Sequence, residues 1–234
     1  MKVIILAGGF GTRISEETEN KPKPMVLLDS MPIIWHVMNI YAKQGFTDFV
    51  IATGYRGEII KDWVKHLSSP WRVEAIDTGL ETQTAGRVRQ CFEYIGQDTC
   101  LLTYGDGVGN VNVTELLEFH RHHERLATVT AVRPPARFGV IQSSNGVVCE
   151  FGEKNQADAG WINGGFFVLE KEVISKIKSD SEAFEAEVLP RLVHEKQLMA
   201  FHHNGFWQPM DTLREKNELA SLAKAGDPPW IKGF

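Results

Sequence analysis

Five consecutive apolar residues, Val3-Ile4-Ile5-Leu6-Ala7, run directly into Gly8-Gly9-Phe10-Gly11. A short apolar run ended by glycine reads as a strand buried on both faces and entering a functional loop. Strands of that kind belong to parallel sheets covered by helices. The rest of the N-terminal half agrees. Ile34, Val37, Met38 and Tyr41 recur at helical spacing, with Pro32 near the start and Gly45 just past the end. Strand-like runs at 46–53, 73–76, 100–104 and 127–132 alternate with helical patterns at 57–67, 85–95 and from Asn112 to about His123. Asn112 and Glu115 stand at capping-box spacing. This alternation predicts an α/β fold, a Rossmann-like doubly wound sheet with its sites beyond the carboxyl ends of the strands.

After Pro134-Pro135 the rhythm changes. Short strands at 138–143, 147–151 and 165–169, the first two joined by Asn145-Gly146, predict a small antiparallel elaboration that makes the architecture mixed. Helical patterns follow at 183–194 and 213–225. No internal repeat or low-complexity linker divides the 234 residues, so 1–234 reads as one domain.

Charge narrows the partners. Twenty-five Lys and Arg against 30 Asp and Glu give a net charge of −5, and no overall basic field favours nucleic acid or an anionic membrane. An anionic ligand has to be caught locally, by a few placed cations, amides or a metal. Cys91, Cys100 and Cys149 are odd in number and lack CxxC spacing, which fits reduced thiols better than a disulfide framework or structural zinc. The first apolar run is too short for a signal segment or a membrane span, so the expected location is cytoplasmic.

The densest chemistry lies in Leu6-Ala7-Gly8-Gly9-Phe10-Gly11-Thr12-Arg13 and in Lys21-Pro22-Lys23-Pro24-Met25. Glycines after a strand let backbone amides approach and cradle phosphate. Arg13 adds a guanidinium suited to phosphate oxygens, and Lys23 a point charge between two prolines. Neither common phosphate loop is present. A dinucleotide fingerprint starting at Gly9 needs glycine or alanine at position 14, which is Ile14, and Gly11-Thr12-Arg13 does not close a Walker loop.

At these residues the chain resembles the sugar-1-phosphate nucleotidyltransferases. The resemblance runs from Met1 to about Trp230. It is carried further by Tyr104-Gly105-Asp106-Gly107, Arg137-Phe138-Gly139, Ile162-Asn163-Gly164-Gly165-Phe166-Phe167 and Phe206-Trp207-Gln208-Pro209-Met210-Asp211-Thr212. The last of these segments points to the cytidylyltransferase branch. The resemblance implies a nucleotide-binding half at 1–133 and a sugar-phosphate-binding half at 134–234. It implies transfer from CTP to glucose 1-phosphate, yielding CDP-glucose and pyrophosphate, in a homo-oligomer.

Residue by residue, the resemblance implies catalytic roles for Arg13 and Lys23, and Asp106 and Asp211 as ligands of one Mg²⁺. Leu6, Ala7, Gly8, Gly9, Gly11, Thr12, Tyr104 and Gly105 would hold the nucleotide, with Thr78, Gly79, Thr84 and Gly86 facing the base. Arg137, Phe138, Gly139, Glu153, Lys154, Asn163 and Gly164 would hold the sugar phosphate. Two departures stand out: Asn155 follows Glu153-Lys154 where the family usually has proline, and only 68–72 separates the second helix from the strand before Asp77. The same fold could therefore serve another nucleotide or phosphorylated acceptor, and a non-catalytic nucleotide-binding subunit is a further reading. Read plainly, Asp211 could be a helix cap, His120, His122 and His123 a solvated helix end, and Trp207 a packing or interface residue.

Overall fold

The computed structural model describes all residues except 12–13, 136–138, 145, 154–159 and 234. In chain order the elements are β1 (Val3–Ala7), α1 (Ser15–Thr18), β2 (Leu27–Leu28), β3 (Met31–Pro32), α2 (Ile33–Ala42), β4 (Asp48–Thr53), α3 (Gly57–Lys65), β5 (Arg72–Asp77), α4 (Thr84–Ile95) and β6 (Thr99–Tyr104). There follow β7 (Gly107–Gly109), α5 (Val113–His123), β8 (Ala127–Val132), β9 (Gly139–Ser144), β10 (Val147–Glu153), β11 (Ile162–Glu170), α6 (Leu189–His194), β12 (Leu198–His203), β13 (Trp207–Pro209) and α7 (Leu213–Lys224).

Seven strands form the central sheet in the order β12-β8-β11-β6-β1-β4-β5. β1 pairs in parallel with β4 and β6, β4 with β5, and β12 with β8, while β11 runs antiparallel between β8 and β6. The sheet is therefore mixed, as expected, but β11 is a correction. The run at 165–169 belongs to the central sheet and not to the small elaboration, which is the β9–β10 hairpin. Its residues from Gly164 to Leu169 are all buried, as a strand sandwiched between two helix layers requires.

Strand alternation divides the apolar side chains between two faces. Val3, Ile5 and Ala7 of β1 pack with α2, α5 and α7 on one side. Ile4 and Leu6 pack with Val88, Cys91 and Phe92 of α4 and with Leu189 and Leu192 of α6 on the other. From β1 the chain builds outward through β4 to β5, then returns across the sheet to β6 on the opposite side of β1. That reversal opens a crevice beyond the carboxyl ends of β1 and β6, the usual ligand position in doubly wound sheets.

Two further elements differ from the sequence pattern. The helical stretch at 183–194 opens with one π-helical turn, Phe184–Val188, before α6. β12 adds an edge strand at 198–203, whose half-exposed residues and two terminal histidines gave no clean period-2 signal. Among the described residues no helix is long and apolar enough to cross a membrane.

Candidate active site

The crevice at the reversal is lined by Leu6, Ala7, Gly8, Gly9, Phe10 and Gly11 from the end of β1 and by Tyr104, Gly105 and Asp106 from the end of β6. It has a volume of about 330 Å³. Gly8 and Gly11 are needed here, whereas Gly9 has open space around it. A Cβ on Gly8 would lie 2.2 Å from the Arg87 guanidinium, and Gly11 has a φ of +66° with Lys23 and Thr18 packed at 3.1 Å from its would-be Cβ. Gly105 donates its N–H to the Leu6 carbonyl at 3.0 Å, which ties the two strand ends together.

A second cleft of about 680 Å³ adjoins the first. Asn163 and Gly164 of β11, Pro134, Glu185 and Trp207 face it. The β11–β8 register shifts between Asn163 and Phe167, and this bulge turns Asn163 towards Tyr104, whose hydroxyl receives its Nδ2 hydrogen bond at 3.2 Å. Trp207 packs against the core, as expected, and also forms part of the cleft wall, donating Nε1–H to the Gly164 carbonyl at 2.8 Å.

Tyr104, Asp106 and Asp211 line both clefts. Asp211, 105 positions further along the sequence, reaches this border through a short ladder in which β13 pairs with β7, extended by Met210 N–H to Asp106 O at 2.9 Å. Lys23 reaches it from a 3₁₀ turn, Lys23–Met25, that prolines 22 and 24 hold rigid. Its Nζ donates to Asp106 Oδ2 and to Asp211 Oδ1, each at 2.6 Å. Burial opposes the charge on Lys23, but Asp106 and Asp211 outweigh it and hold the ammonium above its ordinary titration range. Asp211 is not the cap of α7. Thr212 is, in a capping box with Glu215, and that frees the Asp211 carboxylate from capping duty.

These carboxylates pass a simple test for a hard divalent ion. They are oxygen donors from separate elements, and their oxygens converge on one cationic point, now held by Lys23 Nζ. Among the described residues no three His, Cys, Asp or Glu side chains gather as a metal set, so further ligands would come from phosphate or water.

Other expected residues fall into three groups. Arg13, Thr12, Arg137, Phe138 and Lys154 lie outside the described residues; Gly139 begins β9 and Glu153 ends β10. Thr84 faces the first cleft. Thr78 does not offer its hydroxyl to a base. It is 2% exposed, with Oγ1 donating to Thr53 O at 2.7 Å and accepting from Arg87. Gly79 has a φ of +89°, and Gly86 packs against Asp180, where a Cβ would meet Oδ1 at 2.5 Å. The expected solvated helix end is also corrected. His120 is 2% exposed, with Nδ1 on Thr128 Oγ1 at 2.8 Å and Nε2 on Glu170 at 2.9 Å, while His123 also reaches Thr128. His122 is exposed.

Two residues to which the sequence assigns no role of their own support the site. Arg87, 4% exposed, lies under the glycine loop, its Nη1 donating to Thr53 O at 2.9 Å and its Nη2 to Gly8 O at 3.2 Å. Burial lowers its pKa, with Asp77 partly offsetting the effect, and it remains a cation. The signal was available, since Arg87 falls on the same helical stripe as Thr84, Val88 and Cys91. Glu185 sits in the π turn and accepts from Tyr104 Oη at 2.6 Å and Thr84 Oγ1 at 2.8 Å. Burial, reinforced by Glu185, raises the Tyr104 hydroxyl far above its ordinary range and keeps it a donor. No sequence pattern marks a π turn.

A glycine-lined crevice at a strand reversal thus adjoins a second cleft, with a carboxylate pair lining both and a lysine bound to that pair. Residues 2–214 match the Nucleotidyl transferase family model, and the chain belongs to this family. It is 44% identical to the glucose-1-phosphate cytidylyltransferase of Salmonella typhi, covering 98% of each chain. It is 37% identical to a probable glucose-1-phosphate cytidylyltransferase of Bacillus subtilis, covering 98% of this chain and 99% of that one. HddC from Yersinia pseudotuberculosis shares the fold with a TM-score of 0.75 at 23% identity, over 94% of this chain and 98% of the other.

Proposed function

We propose that the chain is a Mg²⁺-dependent glucose-1-phosphate cytidylyltransferase, forming CDP-glucose and pyrophosphate from CTP and glucose 1-phosphate. The observation that carries this reading is the convergence of Lys23, Asp106 and Asp211 at the border shared by two clefts. The 44% identity to an enzyme of that name supports the choice of substrates.

In this reading the first cleft holds CTP, with the backbone from Leu6 to Gly11 cradling its phosphates. The second cleft takes the hexose, with Asn163, Gly164 and Glu153 near its hydroxyls and Arg137, Phe138 and Gly139 close by. The attacking phosphate is already an anion at neutral pH, so no general base is needed. The barrier is the approach of two anions, and placed cations with correct alignment lower it. Lys23 takes the α-phosphate, Arg13 the departing pyrophosphate and Lys154 the sugar phosphate. Asp106 and Asp211 hold Mg²⁺, which when bound neutralises charge on the phosphate oxygens. The halves at 1–133 and 134–234 of one domain divide the two substrates, in a cytoplasmic homo-oligomer.

The test is pyrophosphate release from a panel of nucleoside triphosphates against a panel of phosphorylated acceptors, with and without Mg²⁺. Release is expected with CTP, glucose 1-phosphate and Mg²⁺ together. Release with a different acceptor alone would replace the acceptor and keep the enzyme; none with any pair would leave a binding subunit. The first of these outcomes has a specific support: the match to the Salmonella enzyme extends over 253 positions, more than the 234 residues of this chain. Some positions of that relative thus have no counterpart here.

A further inference from the structure

Lys23 Nζ occupies the point on which the two carboxylates converge, 2.6 Å from Asp106 Oδ2 and 2.6 Å from Asp211 Oδ1. The backbones behind all three are fixed. Val26 N–H closes the turn on Lys23 O at 3.0 Å, Asp106 O accepts from Met210 at 2.9 Å, and Asp211 N–H donates to Glu215 Oε2 at 2.7 Å. Pro24 packs against Gly105, where a Cβ would meet its Cγ at 3.1 Å. Rearrangement is thereby confined to side chains, and the flexible member is the four-carbon stem of Lys23. A divalent ion held by both carboxylates needs the same oxygens and the same point, so Lys23 Nζ and that ion cannot both occupy it.

We propose that Lys23 is a tethered competitor of the divalent cation. It occupies the shared point and offsets part of the charge of Asp106 and Asp211 until a nucleotide phosphate draws its ammonium away, so that the cation enters together with the nucleotide and not before it. The proposal rests on the assignment of the two carboxylates to the metal. It adds an order of binding and gives Lys23 a second role, holding the carboxylate pair occupied before the substrates arrive. The triphosphate resolves the competition because its oxygens can accept from Lys23 and also supply the ligands that two carboxylates leave missing.

The test is Mn²⁺ binding to the full chain, followed by electron paramagnetic resonance without nucleotide. Wild type should bind Mn²⁺ weakly and tighten when CTP is added. Lys23→Met should bind the ion alone at least about tenfold more tightly, the factor expected when a competitor fills a site for nine-tenths of the time or more. Asp106→Asn in the Lys23→Met background should abolish the gain. Equal Mn²⁺ affinity in wild type and Lys23→Met would overturn the proposal. Should Lys23→Met fail to fold by circular dichroism, the wild type decides. Mn²⁺ alone, at a concentration that raises the melting temperature in the presence of CTP, should leave it unchanged, and an equal rise without CTP would overturn the proposal. Pyrophosphate release by the wild type is scored separately. Its absence sinks the functional reading, whereas release with unchanged Mn²⁺ affinity sinks this inference alone.

Discussion

Two buried cations flank the first cleft, and they are held in opposite ways. Lys23, 8% exposed, is matched by two carboxylates. Arg87, 4% exposed, is matched by neutral groups: the carbonyls of Thr53, Gly8 and Leu80 and the Thr78 hydroxyl. The Lys23 pKa is raised by its partners despite burial, whereas burial prevails at Arg87 and lowers it. A point charge on a flexible stem between two anions is exchangeable, because another cation or a phosphate can take over either side. A planar fork spread across the ends of β1, β4 and the loop after β5 is not, because no single ligand reproduces its geometry. In the proposed reaction the first region exchanges its partners, while the second holds the glycine loop still.

If that contrast is right, substitutions on the two sides should separate activity from stability. Asp106→Asn keeps the shape at the Lys23 side and removes one of the two charges that converge there. Turnover should fall by roughly 10²–10³-fold, the range for loss of one transition-state electrostatic contact, while the urea midpoint stays close to wild type. Near-normal turnover at saturating Mg²⁺ would remove Asp106 from the metal site.

Arg87→Met should do the reverse in kind. It removes the side-chain donor from the Leu80 carbonyl, leaves the Gly8 carbonyl with the Tyr55 N–H, and loosens the packing against Gly8 and Gly54. The expected loss is about 2–4 kcal/mol of stability by urea unfolding. Arg87→Lys should recover only part of it, since an ammonium cannot span three strand ends. Full recovery by lysine would mean that charge, and not the fork, is what this position needs.

Glu185 lies between the two regions and refines the contrast. Its two oxygens accept from Tyr104, which lines both clefts, and from Thr84, which faces the first. Glu185→Gln replaces one acceptor by a donor, so one of these bonds must reverse its direction or break, and the charge of the acceptor is lost in either case. The acceptor KM should rise roughly tenfold, as loss of a charged hydrogen bond suggests, with the nucleotide KM nearly unchanged. A rise in the nucleotide KM alone would assign Glu185 to the first cleft through Thr84.

The residues of the reactive side were legible in sequence, and those of the holding side were not. Lys23, Asp106 and Asp211 stand next to prolines, glycines or a helix start, where backbone chemistry advertises a special position. What brings Asp211 to Asp106 is the β7–β13 ladder of three register pairs, too short for any periodic pattern. Arg87 stands on the buried stripe of α4, which marks it as inward-facing, but its partners Gly8 and Thr53 lie far along the chain, as Tyr104 and Thr84 do from Glu185, so spacing does not reveal what either residue holds. β11 shows the same limit at the level of the fold. Phe166-Phe167-Val168-Leu169 read correctly as a strand, but only its partners, β6 and β8, show that it lies inside the sheet.

The smallest effect concerns how firmly the reactive side is anchored. Thr212 Oγ1 accepts from Glu215 N at 3.2 Å, while Glu215 Oε2 accepts from both Thr212 N at 2.9 Å and Asp211 N at 2.7 Å. Thr212→Ala removes the first bond and leaves the other two, so Asp211 keeps its backbone anchor. Stability should drop by about 1 kcal/mol, the usual cost of a lost N-cap, and Thr212→Ser should restore it. Turnover should change less than about threefold, because a shift of that order corresponds to under 1 kcal/mol of barrier. A loss of turnover as deep as that of Asp106→Asn would show that the cap itself holds Asp211 in place. The reactive side would then depend on local rigidity as much as the Arg87 side does, and the division between an exchangeable cation and a fixed one would have to be redrawn around α7.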